Sequence, residues 1–251
     1  MIDIADISLA KESVEEADLR QVGAQLHAAL SQIGFAYIKN HGIPMAWFES
    51  TFQVSMDFFS RATAEVKAEL KKGKEFQGYL GGEEIFNQDE SGFVAREEFR
   101  ESFDVTDISA GGIFPDDSCP ELRPALTQLA QACWHLIDRL LSCLSLALGR
   151  ESTFLHNFHQ GVLAKGLEGG VANLSTLRTV HYPPVSETQA AKGDVIRCGE
   201  HSDFGTLTLL CQDDIGGLEV KNLDGSWIKL KPQTGRGTFQ RWSMSKFEFH
   251  A

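Results

Sequence analysis

The feature that most constrains the fold is a change of apolar period near residue 177. Before it, apolar residues recur at helical spacing. Leu19, Val22, Leu26, Leu30 and Ile33 mark one helix, with Gly34 placed as its C-terminal cap. Phe48, Phe52, Met56 and Phe59 mark a second, and Val66 and Leu70 a third. Leu126, Leu129, Cys133, Leu136, Ile137, Leu140, Leu144 and Leu148 predict the longest helix, over 124–149. After residue 177 the pattern becomes that of strands. Leu177–Tyr182 stops at Pro183-Pro184, and Thr206–Cys211 reads as a buried strand. Two short runs flanking Asp224-Gly225 read as a hairpin. Two strands are also expected earlier, at Ile2–Ile7 and Phe35–Ile38, the latter closed by the turn cluster Asn40–Pro44. Glu101–Val105 reads as a strand, and 76–92 and 111–119 as loops. Helices therefore dominate the front of the chain and strands the back, which is an α+β arrangement.

Within the strand-rich part lies Gly199-Glu200-His201-Ser202-Asp203-Phe204-Gly205. Residues two apart in extended chain point to the same side. His201 and Asp203 would thus offer an imidazole nitrogen and a carboxylate oxygen together. These are two thirds of the 2-His-1-carboxylate triad that holds Fe(II) with coordination positions left open. The third ligand would be a distant His on a later strand. His250 is the one His after His201, and it stands next to Ala251. A solvated terminal side chain is the expectation for it.

Composition narrows the function classes. A net charge of −12 and a pI near 5.1 argue against a nucleic-acid surface. The five cysteines contain no C-x-x-C pair, which argues against a disulfide scaffold and a structural zinc site. The N-terminus carries no secretory pattern, and no apolar run is long enough to span a bilayer. No nucleic-acid or membrane partner is expected, and the expected location is cytoplasmic.

Several stretches together resemble the isopenicillin N synthase-like branch of the Fe(II)/2-oxoglutarate-dependent dioxygenases. They are Leu30–Pro44, Phe58-Phe59 with Val66-Lys67, Gln77-Gly78-Tyr79, Leu177–Pro184, His201–Leu210 and Gln212–Val220. The resemblance implies a double-stranded β-helix (jelly-roll) core with flanking helices. On that basis the chain divides into an N-terminal dioxygenase-type region (1–110), a helical segment (111–170) and the oxygenase core (171–251). The resemblance also implies that His201 and Asp203 are iron ligands and that Tyr182 binds the co-substrate carboxylate. Fe(II) is the implied cofactor and 2-oxoglutarate the co-substrate. O2 then oxidises a C–H bond of a small organic substrate, with release of succinate and CO2.

The chain departs from the family pattern after Leu230. An Asn-x-Gly-Asp-like strand is missing before Gln240-Arg241-Trp242, and no Arg-x-Ser pair follows to anchor the far carboxylate of 2-oxoglutarate. The core is therefore expected to be incomplete at its C-terminus and the activity impaired. The alternative is a catalytically inactive relative that binds a partner. Arg178, His181 and the Asn40-His41-Gly42 turn are expected to be structural. Lys71–Lys74 is expected to be a solvated face, and Glu83, Glu84, Glu97 and Glu98 ordinary surface carboxylates.

Overall fold

The computed structural model describes residues 1–73, 77–89, 92–106, 108, 112–159, 175–188, 197–201, 203, 205–213 and 215–231, with the side chains of 82–89 and 92–98 left aside. They form two compact units, each stitched from separated segments. One unit takes Met1–Met45, Ala132–Gln160 and Ser202–Ala251, and the other takes Ala46–Gln131 and Gly161–His201.

The first unit begins with β1 (Ile2–Asp3), which pairs in parallel with β2 (Ile38–Lys39) through Ile2 opposite Ile38. Between them runs α1 (Glu16–Gln32), which buries Val22, Gly23, Leu26 and Leu30. Gly34 follows the helix at φ 81°, the left-handed conformation that a C-terminal cap needs. The alternation over Ile2–Ile7 yields only two strand residues. Ala5–Ile7 instead winds into a 3₁₀ turn, with the Ala5 amide donating to Asp3 Oδ1. The local Asp3-to-Ala5 hydrogen bond thus overrides the alternation; Ile2 and Ile4 are buried on one strand face, and the turn brings Ile7, which alternation would put on the other face, into the core as well.

α4 (Leu122–Ala147) supplies this unit from Ala132 onward, with Leu136, Leu140, Leu141 and Leu144 buried. Arg139 ties the helix to the N-terminal segment by donating to the carbonyls of Ile7, Ser8 and Lys11. The unit closes with the hairpin of β6 (Glu219–Lys221) and β7 (Trp227–Lys229), turned through Gly225 at φ 84°. Thr206–Cys211 does not form the expected buried strand. It is half-buried and pairs only at a single bridge residue, Leu210. An alternating Thr and Leu run signals a strand, but a ladder also needs a partner strand, which periodicity does not supply.

His41 occupies the turn after β2 and is only 2% exposed. Asn40 and Gly42 beside it have φ of 63° and 87°. The Ile43 amide donates to His41 Nδ1 at 3.0 Å, so the expected structural role holds. Burial depresses the His41 pKa to about 4. Because the folded pKa lies below the unfolded value, the unfolded chain binds the extra proton first. Stability contributed by this residue is complete above pH 6.5 and is lost as pH falls toward 4. Between pH 7 and pH 5 the loss should be about 2 kcal/mol. Urea titrations at the two pH values should show His41→Gln to be less acid-sensitive than the wild type by that amount. Equal acid sensitivity would rule out His41 as the source.

The second unit contains most of α2 (Met45–Arg61), together with α3 (Ala64–Glu69) and a three-stranded antiparallel sheet. The sheet order is β3 (Gly78–Asp89), β4 (Gly92–Val105) and β5 (Leu177–His181). Much of 76–92 is therefore strand and not loop, with β3 paired on β4 from Gly78 opposite Asp104 to Asp89 opposite Gly92 and the register shifting by one residue between Gly81 and Glu83. Its Gly- and Glu-rich sequence has weak strand propensity, and pairing with β4 decides the conformation.

Phe58, Phe59, Leu70, Phe103, Val105, Phe114, Leu122 and Leu126 form the core of this unit. Phe58 meets Phe103 edge-on with ring centroids 5.2 Å apart. The α2 stripe is rotated from the one expected. Phe48, Phe58 and Phe59 are buried, whereas Phe52 and Met56 are 43% and 48% exposed.

Candidate functional site

β4 and β5 place charged residues opposite one another. Their antiparallel register sets Glu101 against His181 and Asp104 against Arg178. Residues three apart on a strand face opposite sides, so the sheet carries one charged cluster on each face, half-buried around Glu101 and buried around Asp104.

On one face, Glu101 Oε2 accepts from Lys67 Nζ at 2.6 Å and from the Tyr79 hydroxyl at 2.7 Å. Its Oε1 lies 3.1 Å from His181 Nδ1. The His181 ring stacks on Phe59 with centroids 5.4 Å apart. Burial opposes ionisation of Glu101, but the hydrogen bonds from Lys67, Tyr79 and His181 outweigh it and hold its pKa below the ordinary value. Tyr79 is pushed well above its ordinary pKa by burial and by its hydrogen bond to the same carboxylate.

On the other face, Asp104 is 1% exposed. It accepts from Lys72 Nζ at 2.6 Å and from Arg178 Nε and Nη2 at 2.7 and 2.8 Å. Arg178 and His181 thus have the structural roles expected of them. Lys72 does not belong to a solvated face, because its side chain is 17% exposed and its ammonium is committed to Asp104. The side chains of Glu83, Glu84, Glu97 and Glu98 lie outside the described set.

Tyr182 follows β5 directly and is 45% exposed. His201 is exposed at the end of its unit's segment, and Asp203, half-buried, belongs to the other unit. His201 Nδ1 lies 2.8 Å from the Gly199 carbonyl oxygen. A carbonyl only accepts, so Nδ1 carries the proton and Nε2 holds the lone pair of the neutral ring. Cys198 Sγ is 3.9 Å from the same Nδ1 and 4.0 Å from Arg100 Nη1. Asp203 Oδ2 accepts from the Thr208 hydroxyl at 2.7 Å. Among the described residues, no three His, Cys, Asp or Glu side chains gather closely enough to hold a metal ion. His250 lies outside the described residues.

Sequence reasoning does not find the partners of the expected site residues, namely Gly199 and Thr208, nor the Glu101 and Asp104 clusters. One signal for the clusters is present. Glu101 and Asp104 are spaced as Arg178 and His181 are, in reversed order, as antiparallel pairing demands.

The model of the N-terminal domain described as "non-haem dioxygenase in morphine synthesis" matches residues 2–133. That of the 2OG-Fe(II) oxygenase superfamily matches residues 173–251. The 2-oxoglutarate-Fe(II) type oxidoreductase ppzC of Metarhizium majus is 31% identical over 94% of this chain and 66% of its own length. The 2-oxoglutarate-dependent dioxygenase htyE of Aspergillus rugulosus is 32% identical over 87% of this chain and 68% of its own length. The chain thus spans about two thirds of the length of these curated relatives. Its fold is similar to that of a full-length Neurospora crassa protein solved in complex with alpha-KG. The TM-score is 0.75 at 23% identity, covering 98% of this chain and 71% of that one. With matches running through both its helical and its strand-rich parts, the chain belongs to the 2OG-Fe(II) oxygenase superfamily, whose cofactors are Fe(II) and 2-oxoglutarate.

Proposed function

We propose that this chain is an Fe(II)- and 2-oxoglutarate-dependent dioxygenase that oxidises a C–H bond of a small organic substrate with O2, releasing succinate and CO2. In this reading its strands belong to a double-stranded β-helix core carried by 171–251, and His201 and Asp203 are the iron ligands.

The observation that carries the reading is the pair of hydrogen bonds behind the His-x-Asp motif. A metal-binding imidazole is normally fixed by a hydrogen bond from its other nitrogen, as His201 Nδ1 is by Gly199. A ligating carboxylate is normally hydrogen-bonded in turn, as Asp203 is by Thr208. Imidazole nitrogen with carboxylate oxygen is also a donor set that suits Fe(II). When bound, the iron and 2-oxoglutarate supply the oxidising power. The protein's residues hold the metal, orient the substrate and keep water away. Tyr182, half exposed just after β5, donates its hydroxyl to a carboxylate of the co-substrate.

No helix among the described residues is long and apolar enough to cross a membrane. All five cysteines are free thiols, which supports a reducing, cytoplasmic setting.

The test is anaerobic titration with Fe(II) and 2-oxoglutarate, following the visible metal-to-ligand charge-transfer band. The band is expected in the wild type and absent in His201→Ala and Asp203→Ala. In Thr208→Val, Fe(II) affinity should fall by about 10- to 100-fold, the usual effect of removing a partner of a metal ligand. A folded wild type that gives no band would overturn the proposal.

A further inference from the structure

Asp138, Ser142 and His156 form a relay for which the oxygenase reading has no use. Ser142 follows Asp138 by four residues on α4, so both project from one helix face. His156 sits in the 3₁₀ turn Leu155–Phe158. That turn is held against the helix by the Leu155 amide, which donates to the buried Ser145 hydroxyl at 3.1 Å.

His156 Nδ1 lies 2.7 Å from Asp138 Oδ1, and its Nε2 lies 2.9 Å from Ser142 Oγ. A carboxylate accepts, so Nδ1 carries the ring proton and Nε2 is the acceptor for the Ser142 hydroxyl. The hydroxyl has one other acceptor in reach, the Asp138 carbonyl at 3.3 Å, which is the longer of the two contacts. Ser142 is half-buried and the His156 side chain is 25% exposed. Nucleophile, base and orienting carboxylate stand in the order that activates a serine.

We propose that Ser142 is a nucleophile toward small, activated ester-type electrophiles, with His156 as its general base and Asp138 as the positioning residue. Ser142 Oγ attacks the acyl carbon and its proton passes to His156 Nε2. The new C–O bond forms and the bond to the leaving group breaks. The leaving alcohol departs with the proton from His156. Water then attacks the acyl-serine and gives its proton to the same nitrogen; the bond from the acyl carbon to Ser142 Oγ breaks, His156 returns the proton to that oxygen, and the acid is released. No redox partner is required.

The test uses an alkyl fluorophosphonate, which forms a P–O bond to the serine oxygen and expels fluoride. Intact-protein mass spectrometry should show one added equivalent, mapped by peptide digestion to Ser142 and absent in Ser142→Ala. In His156→Ala, with helical circular dichroism preserved, the labelling rate should fall by about 100-fold, within the range that general-base assistance supplies. In Asp138→Asn it should fall by about tenfold, less than for a fully buried triad because the Asp138 side chain is 46% exposed. A structural tie alone would not produce the adduct. No adduct on folded wild type, an adduct mapped elsewhere, or equal labelling in His156→Ala would each overturn the proposal. If His156→Ala does not fold, the Asp138→Asn rate decides. These residues lie outside the His201 segment, so the iron charge-transfer band should be unchanged in every variant. Failure of this proposal is thereby separable from failure of the oxygenase reading.

Discussion

Asp104→Ala should destabilise the fold by about 3 kcal/mol, the low end of what removing one partner of a buried ion pair costs. The carboxylate is almost fully enclosed and serves two cations, with Arg178 held in a two-pronged contact. Removing it takes the Asp104 counter-charge away from both cations. Arg178 is 36% exposed and can recover part of its hydration by turning outward. The Lys72 ammonium has less freedom, because its backbone is pinned to Tyr79, whose carbonyl accepts from the Lys72 amide at 2.8 Å. Asp104→Asn should be milder, since the amide still accepts one hydrogen bond but neutralises neither cation. Equilibrium urea unfolding measures both variants. A loss below about 1 kcal/mol for Asp104→Ala would mean the pair is worth no more than a surface contact. Adding Arg178→Leu to Asp104→Ala should restore part of the loss, because one of the two cations disappears with it.

Gly23→Ala should also destabilise, by about 2 kcal/mol, although alanine is the better helix former by about 1 kcal/mol in an exposed helix. Gly23 lies in the interior of α1 and is buried. A methyl group there would overlap the carbonyl oxygen of Cys143 on α4, and would lie 3.0 Å from that carbonyl carbon and 3.4 Å from Ala147 Cβ. The obstacle is backbone, so no rotamer change relieves it, and the two helices would have to separate. Thermal or urea unfolding decides the sign. A Gly23→Ala protein as stable as the wild type would show that the helices part without cost.

The helices are legible in the sequence because apolar residues recur at helical spacing, although the buried face is not always the one the spacing picks out, as the exposed Phe52 and Met56 of α2 show. The α4 periodicity picks out Leu126, Leu129, Cys133, Leu136, Leu140 and Leu144, which are buried, but also Ile137, which is half-buried, and Leu148, which is exposed, and it misses the buried Leu141 and Cys143. Gly34 and Gly225 are legible from conformational freedom, since both adopt positive φ. β3 is not, because what makes it a strand is its neighbour β4 and not its own composition. The charged clusters escape for the same reason. Glu101 is separated in sequence from Lys67 by 34 residues, from Tyr79 by 22 and from His181 by 80. Local patterning is silent on such contacts. The His201-x-Asp203 motif carries its own signal through spacing. The tautomer of His201 does not, because a main-chain carbonyl sets it and every residue has one.

The interleaved make-up of the two units also orders events during synthesis. Met1–Met45 is made before the rest of its unit, and the helix segment to which Arg139 and Cys143 belong arrives only with Ala132–Gln160. Until then the Ile7 carbonyl and Gly23 lack the α4 groups they meet in the finished unit. The unit started first is therefore finished last. A translational pause shortly after α4 is made would give its N-terminal segment time to close, and a chaperone that grips apolar nascent segments would find its longest opportunity before that point.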